Sequence, residues 1–415
     1  MRILVVTDIC LPEPSPAAAH VFDRAVCWAA AGHEVTILTN HPNYPEGRFH
    51  EQYGNRWRTT ERVQGLRIVR VKTFATPNQG IVRRLLDYLS FVATASIAGL
   101  FEARPSVVFS TTPHLFTPLA AAWIASCRGV PHVMEVRDLW PESILRHGSI
   151  SYALLERLEL WLYRRAARVI VLTAAFKESL LSRSIPAETI DIVRGSAALE
   201  VFSPASQRNA ALEETSRLRG RFVIGYPGTL ATAHDLDVLL AAAEALRATP
   251  ACFVIVGGGP VKAELAARTH AAGLNEQFRF LPARPREEMP ACWSLFDLSL
   301  ALLRNAPAFS RVVPSKILES MACGVPVLFV GPEGEGSELV RREGVGIVVA
   351  AGDGPALAAA VVSLMNDSQT RARLATNCRM GASRWSRTRH AAETLASLRL
   401  AVGSSGSMEL GQSGE

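Results

Sequence analysis

The sequence predicts an α/β protein built from two doubly wound domains that face each other across a cleft. Three observations carry that expectation. A chain of 415 residues exceeds what one hydrophobic core ordinarily serves. Short runs rich in Val and Ile alternate with longer segments of helical period, the pattern of parallel sheets covered by helices. The alternation breaks at a polar, alanine-rich stretch, 203–219, and then begins again.

In the first half the apolar runs 2–6, 34–38, 66–71, 106–110, 132–136, 168–172 and 190–193 read as strands, with helices over 17–31, 81–101, 116–128, 151–166 and 174–182. In the second half the strands read as 222–226, 252–256, 277–281, 297–301, 325–330 and 347–349, each followed by a helical pattern. The domains are drawn at 1–200 and 201–386. Residues 403–415 are Gly/Ser-rich without apolar period and read as a loose, flexible tail.

Composition narrows the function classes. The first apolar run, Ile3-Leu4-Val5-Val6, is one strand long, so no secretory signal is expected. Seven dispersed cysteines without a CxxC pair point to reduced thiols, not to a disulfide framework or a zinc site, and so to the cytoplasm. The net charge of +6 favours anionic partners such as nucleotide phosphates or acidic lipid. No basic run is interleaved with aromatics, so nucleic acid is not expected as a partner. The segment 85–101 is short for a spanning helix and carries Asp87; it reads as a buried helix of the α/β layer, with a helix lying in the bilayer interface as the alternative.

Ligands of doubly wound sheets bind beyond the carboxyl ends of the strands, and the informative residues fall there. The turn Tyr226-Pro227-Gly228-Thr229 lets a backbone approach a phosphate closely. Gly257-Gly258-Gly259-Pro260 follows the next strand, with Lys262 just beyond, but lacks the dinucleotide fingerprint. In the stretch 313–327, Pro314 and Ser315 open a helix whose free amides suit a diphosphate, Lys316 adds a positive charge, and Glu319 stands one turn on, where a carboxylate accepts ribose hydroxyls. In the first half, Glu135-Val136-Arg137-Asp138-Leu139-Trp140-Pro141-Glu142 gathers carboxylates, an arginine and a tryptophan after a strand, as either a sugar-recognition loop or a structural salt-bridge knot. Thr112 and His114 end the preceding strand toward the same cleft. Asp235-Leu236-Asp237 imitates a metal-binding DxD but sits where a helix begins and Asp is a common cap, so no metal site is expected.

Taken in order, these stretches resemble the family-4 retaining glycosyltransferases, and within them the WbuB-like enzymes of O-antigen and colanic-acid assembly. The resemblance runs from Met1 to about Leu400 and is most specific at 32–39, 42–47, 135–143, 285–290 and 314–327. It implies a GT-B fold of two Rossmann-like domains, with a helix at 387–400 crossing back to the first. It also implies catalysis without a metal or cofactor. The family pattern puts Gly228, Thr229, Lys316 and Glu319 at the site of a UDP- or GDP-linked sugar donor, and the loops themselves add Gly257, Gly259, Lys262 and Ser315 as donor-binding candidates. Arg137 and Asp138 would lie at the reaction centre, with Thr112, His114, Trp140 and Glu142 toward the acceptor.

Three positions depart from the family pattern: Pro14-Ser15-Pro16 replaces a glycine loop, Gly195-Ser196-Ala197-Ala198 an Asn-Gly-x-Asp pattern, and Arg311 an acidic residue eight positions before Glu319. The implied activity is transfer of a hexosyl or N-acetylhexosaminyl group to a polyprenyl-diphosphate-linked or saccharide acceptor in surface polysaccharide synthesis. The implied place is the inner face of the plasma membrane, held at an anionic surface by Arg83, Arg84, Arg157, Arg164, Arg165 and Arg168. A UDP-sugar 2-epimerase of the same fold, or a sugar-nucleotide binder without chemistry, are the alternatives.

Overall fold

The computed structural model describes all residues except 14, 45–46, 77–80, 113–114, 140–149, 232 and 412–415. The chain divides into two compact units, one formed by Met1–Arg194 with the chain from Arg387 onward, the other by Gly195–Ser386.

The first unit holds strands β1 (Arg2–Val6), β2 (Glu34–Asn40), β3 (Arg58–Val63), β4 (Leu66–Val71), β5 (Val107–Thr111), β6 (His132–Val136), β7 (Arg168–Val171) and β8 (Ile190–Ile192). They form one sheet in the order β3-β4-β2-β1-β5-β6-β7-β8, parallel throughout except for β3 against β4. Its central strands are apolar in continuous runs because helices cover both faces. Helix α1 (Pro16–Ala30) packs Val21, Phe22, Ala25 and Trp28 on one face. Helices α2 (Ile81–Leu100) and α3 (Phe116–Arg128) cover the other with Phe91, Ala95, Ala121 and Ile124. Helices α4 (Ile150–Arg165) and α5 (Ala174–Ser182) complete the connections.

Three sequence expectations need correction. Strand β3 went unseen because Arg58-Thr59-Thr60-Glu61-Arg62-Val63 has almost no apolar face. It is a polar edge strand, which discourages pairing with other chains. Its hairpin signal was nevertheless present: Gln64 and Gly65 both take positive φ, 50° and 80°, as a two-residue turn requires. Helix α2 is not a helix buried on all sides. Phe91, Ala95 and Ala98 are buried, while Val82, Leu86, Leu89, Ile97 and neighbouring Phe101 are exposed.

The second unit holds β9 (Phe222–Pro227), β10 (Ala251–Val256), β11 (Phe278–Leu281), β12 (Leu298–Leu302), β13 (Val327–Gly331) and β14 (Gly346–Ala350), all parallel, in the order β11-β10-β9-β12-β13-β14. Its helices are α6 (Ala210–Thr215), α7 (Leu236–Ala245), α8 (Lys262–Ala271), α9 (Met289–Trp293), α10 (Pro307–Ser310), α11 (Ser315–Cys323), α12 (Glu335–Glu343), α13 (Gly354–Asn366) and α14 (Ser368–Ala382). Two apolar clusters, one on each face of the sheet, make its core.

The last helix, α15 (Arg387–Gly411), belongs to the first unit. Trp28 Nε1 donates to the Ala391 carbonyl at 2.8 Å, Arg387 pairs with Asp23, and Leu395, Leu398 and Ala401 enter the core beside α1. Here is the third correction: 403–411 continues this helix instead of forming a loose tail. Gly and Ser are weak helix formers, but extending a helix already nucleated and packed costs far less than starting one.

His132 on β6 is buried, 2.8 Å from the Ser110 hydroxyl, and burial pushes its imidazole down to about 3. Above pH 6.5 the group is neutral in both folded and unfolded chains. Below that pH the unfolded chain gains the proton first, so stability is lost as pH falls toward 3, by up to about 1.4 kcal/mol per unit. His132→Gln should therefore flatten the dependence of urea-unfolding free energy on pH between 5 and 6.5. Identical slopes would show that the imidazole is charged inside the fold.

Candidate functional site

In the second unit the site grows from two glycine turns. Beyond β9, Gly228 takes φ +110° and leaves itself and Thr229 exposed. Beyond β10, Gly257 and Gly259 take φ +138° and +129°. A Cβ on Gly257 would lie 2.3 Å from the Gly228 oxygen, and one on Gly259 2.1 Å from the Leu230 oxygen. The second turn therefore buttresses the first, backbone against backbone, and glycine is the residue that permits it. Lys262 reinforces the buttress, its Nζ donating to the carbonyls of Gly257 and Leu281 at 2.5 and 2.7 Å.

The exposed turn is fixed from below by a relay. The Ala231 amide donates to His234 Nδ1 at 2.8 Å, which assigns the ring proton to Nε2. That nitrogen lies 3.0 Å from the Tyr226 hydroxyl, which donates to the Thr229 carbonyl at 3.1 Å. Burial, with Lys316 and Arg304 nearby, pushes His234 down to about 4, so the tautomer holds at neutral pH. Arg304, two residues past β12, donates to the His234 carbonyl.

Facing this turn is the start of α11. No side chain caps it, so the Ser315 and Lys316 amides stay open to a ligand, and the helix dipole favours an anion there. Lys316 Nζ lies 4.8 Å from the Tyr226 ring centroid and 3.4 Å from where a Gly228 Cβ would stand. Gly228 thus makes room for the ammonium, and the ring face supports its charge. Burial lowers the pKa of Lys316, against the pull of Glu319. Glu319, one turn on, is raised by burial, opposed by Lys316, Arg286 and a hydrogen bond with Ser315. The structure so brings Gly228, Thr229, Ser315, Lys316 and Glu319 together, with Tyr226, His234 and Arg286 added. Asp235 caps α7 and Asp237 pairs with Arg268, so the DxD lookalike is occupied structurally.

In the first unit, the ends of β5 and β6 are tied: the Thr112 amide donates to the Glu135 carbonyl at 3.0 Å, and the Arg137 amide to the Thr112 hydroxyl at 2.8 Å. Arg137 Nη1 is buried without a hydrogen-bond partner among the described residues, and Asp138 is exposed. Glu135 is fully buried and answers to structure. It takes Arg24 at 2.5 and 3.2 Å and the Thr111 hydroxyl at 2.7 Å, with His390 of α15 at 3.5 Å. Burial would raise its pKa, but Arg24, with His390 and Arg137 near, holds it well below the ordinary carboxylate range. Of the two readings of this stretch, Glu135 thus follows the salt-bridge knot. His114, Trp140 and Glu142 lie outside the described residues.

Where Pro14-Ser15-Pro16 replaces the family's glycine loop, Glu13 holds the segment after β1. Its buried carboxylate accepts the Asn43, Tyr44 and Cys10 amides at 2.9, 3.1 and 3.3 Å, and burial pushes it up to about 7.

Residues 17–195 match the glycosyl transferase 4-like domain, and residues 221–367 match glycosyl transferases group 1. A similar protein is WcaI of Escherichia coli K12, named for glycosyl transfer in colanic acid biosynthesis, 25% identical over 78% of this chain and 82% of its own. WbjE of Pseudomonas aeruginosa, named as a glycosyltransferase, is 26% identical over 60% of each chain. Among solved structures, Anabaena HepE in complex with UDP-glucose superposes with a TM-score of 0.71 at 18% identity, over 96% of this chain and 100% of that one. WaaG, a glycosyltransferase involved in lipopolysaccharide biosynthesis, gives 0.64 at 15% identity, over 95% and 99%. These structural likenesses show the GT-B fold. The transferase names of the relatives do not favour the epimerase or binding-only readings.

Tyr226→Phe deletes the hydroxyl that links His234 to Thr229 while keeping the ring under Lys316. One neutral hydrogen bond is worth about 1 kcal/mol, so affinity for inorganic diphosphate, used as the probe of this turn, should fall roughly fivefold in calorimetry. Unchanged affinity would mean that the relay does not shape the turn.

Proposed function

From the premise that this chain belongs to the GT-B glycosyltransferases, we propose that it moves a sugar, with retention of anomeric configuration, from a UDP- or GDP-linked donor to a lipid-linked or saccharide acceptor in bacterial surface polysaccharide synthesis. One observation carries the reading: the uncapped start of α11, with Lys316 beside Gly228 and Glu319 one turn on. Open amides and an ammonium suit a diphosphate, and a carboxylate suits the two hydroxyls of a ribose. Support for the donor class comes from HepE, which is solved with UDP and with UDP-glucose. Support for the pathway class comes from WcaI and its colanic acid name.

In the proposed step the bond from the anomeric carbon to the diphosphate oxygen breaks, and the nucleotide diphosphate leaves with the electron pair. The acceptor oxygen bonds to the same face of the sugar, and its proton passes to the departing phosphate. Lys316 and the α11 amides stabilise the charge that develops on the leaving group. Arg137 and Asp138 act in the chemical step; the buried Nη1 of Arg137, without a hydrogen-bond partner among the described residues, is the feature that motivates this role. The reaction requires neither a metal nor a cofactor beyond the nucleotide sugar, because cationic side chains and helix amides supply the electrophilic assistance. Whether a hexosyl or an N-acetylhexosaminyl group moves depends on contacts to the sugar itself.

Glu319→Ala removes a charged acceptor of hydroxyl hydrogen bonds worth about 1.5–3 kcal/mol each, so UDP binding should weaken by at least about tenfold. Calorimetry showing wild-type affinity would remove Glu319 from the ribose. Arg137→Gln should lower kcat more than it raises donor KM, and the reverse split would reassign Arg137 to ground-state binding. Turnover should survive EDTA, and NMR of the product's anomeric proton should report the donor's configuration. Loss on chelation with rescue by Mg²⁺ would overturn the metal-free step, and an inverted product would overturn retention.

A further inference from the structure

Helices α2, α3 and α4 lie side by side, α2 packing on α3 and α3 on α4. Their inner sides build the core, but their outer sides do not read as an ordinary solvated surface. Along α2 one line of exposed positions, Val82, Leu86, Leu89, Ala93 and Ile97, continued by Phe101, runs at helical spacing for about 30 Å without a polar residue, with exposed Leu85 and Arg83 beside its start. Val82 is 72% and Phe101 76% exposed. Trp123 of α3, and Leu154 and Trp161 of α4, are exposed as well. Soluble proteins scatter single apolar residues over their surfaces, but a continuous row marks an interaction face.

The charges beside the row select its partner. The exposed charged side chains on the described parts of these three helices are Arg83, Arg157, Arg164 and Arg165, all cationic. Their carboxylates are withdrawn: Asp87 and Glu156 are half-buried, and Glu159 is fully buried with Tyr163 and Arg183 on it. Exposed indoles beside an apolar row and a one-sign cationic set are the chemistry of an anionic bilayer surface, where tryptophan favours the headgroup level. Among the described residues no helix is long and apolar enough to cross a membrane, so the contact is one of a helix lying on the bilayer.

We propose that the outer face of α2, α3 and α4 seats the protein on an anionic bilayer, with the α2 row inserted at the acyl-chain boundary and the arginines at the headgroups. The inference rests on the transferase reading only for its purpose, access to a lipid-linked acceptor. Insertion adds a component that charge alone does not supply.

Flotation of the full chain with vesicles, without any sugar substrate, tests this. The vesicles are phosphatidylcholine alone, or phosphatidylcholine mixed with phosphatidylglycerol. Wild type should float with the mixed vesicles, and part of that binding should persist at high salt. Leu86→Ser, Ile97→Ser and Phe101→Ser combined should lower the partition coefficient on the order of a hundredfold at any salt. Arg83→Gln, Arg164→Gln and Arg165→Gln combined should remove the salt-sensitive part. Both variants change exposed residues of the first unit and should keep wild-type UDP affinity, so a failed transferase reading shows in nucleotide binding and a failed membrane reading in flotation. Flotation of the apolar triple variant equal to wild type, or no flotation of wild type with either vesicle, overturns the proposal. So does a wild-type dimer in sedimentation that the triple variant turns into a monomer, which would make the face a contact between two copies.

Discussion

The ion pair between Arg24 and Glu135 is the constraint around which the first unit is arranged. Neither side chain reaches solvent, so each ion must be satisfied inside the protein or be strongly destabilising. Four elements converge to satisfy them. Arg24 comes from α1, Glu135 from the middle of the sheet on β6, the Thr111 hydroxyl from β5, and His390 from α15, where its other ring nitrogen meets the Arg194 carbonyl. The guanidinium also lies over the rings of Phe109 and Trp28, at 4.5 and 5.4 Å from their centroids. A buried pair of this kind adds less stability than its Coulomb energy suggests, but it is intolerant of displacement, and that intolerance sets register. The strand end from which Arg137 and Asp138 emerge is pinned two residues upstream by this pair.

The second unit solves a similar positioning problem with backbone. Two glycine turns lean on each other, Lys262 ties their base, and His234 and Tyr226 hold Thr229 from beneath. What stays uncommitted is the set a diphosphate needs: the exposed Thr229 and the open start of α11, while the Gly228 amide is spent on the Val256 carbonyl and Gly228 contributes room instead. Rigid support around free donors is how a protein binds an anion without reorganising at the moment of reaction.

How much of this was legible depended on whether the signal was local. The parallel strands were, because a strand covered on both faces is a continuous apolar run, as in Ile3-Leu4-Val5-Val6. So was the Ser315–Glu319 arrangement, since helical spacing alone places those residues on one side. Edge strand β3 was not, because its apolar content is nearly nil and its mark is a turn, Gln64-Gly65. Arg24 and His390 could not be found by spacing, since 111 residues separate Arg24 from Glu135 and 366 separate it from His390. His234 sat in view beside the Tyr226 turn, but only three dimensions show it beneath Thr229. Lys262, Gly257 and Gly259 stand out in the sequence as a loop of their own, and in the structure they support the neighbouring turn at Gly228.

The path of the chain has one more consequence, and it concerns time. Helix α15 is the partner of Trp28, Arg24 and Asp23, yet nearly two hundred residues of another unit lie between it and β8. During synthesis the second unit is complete, with its own sheet and both its apolar clusters, before α15 leaves the ribosome. The first unit, though made first, waits with the α1 side of its sheet uncovered and its buried arginine short of a neighbour. Birth order and order of completion are thus reversed, and the interval between them is when this chain most needs protection from aggregation.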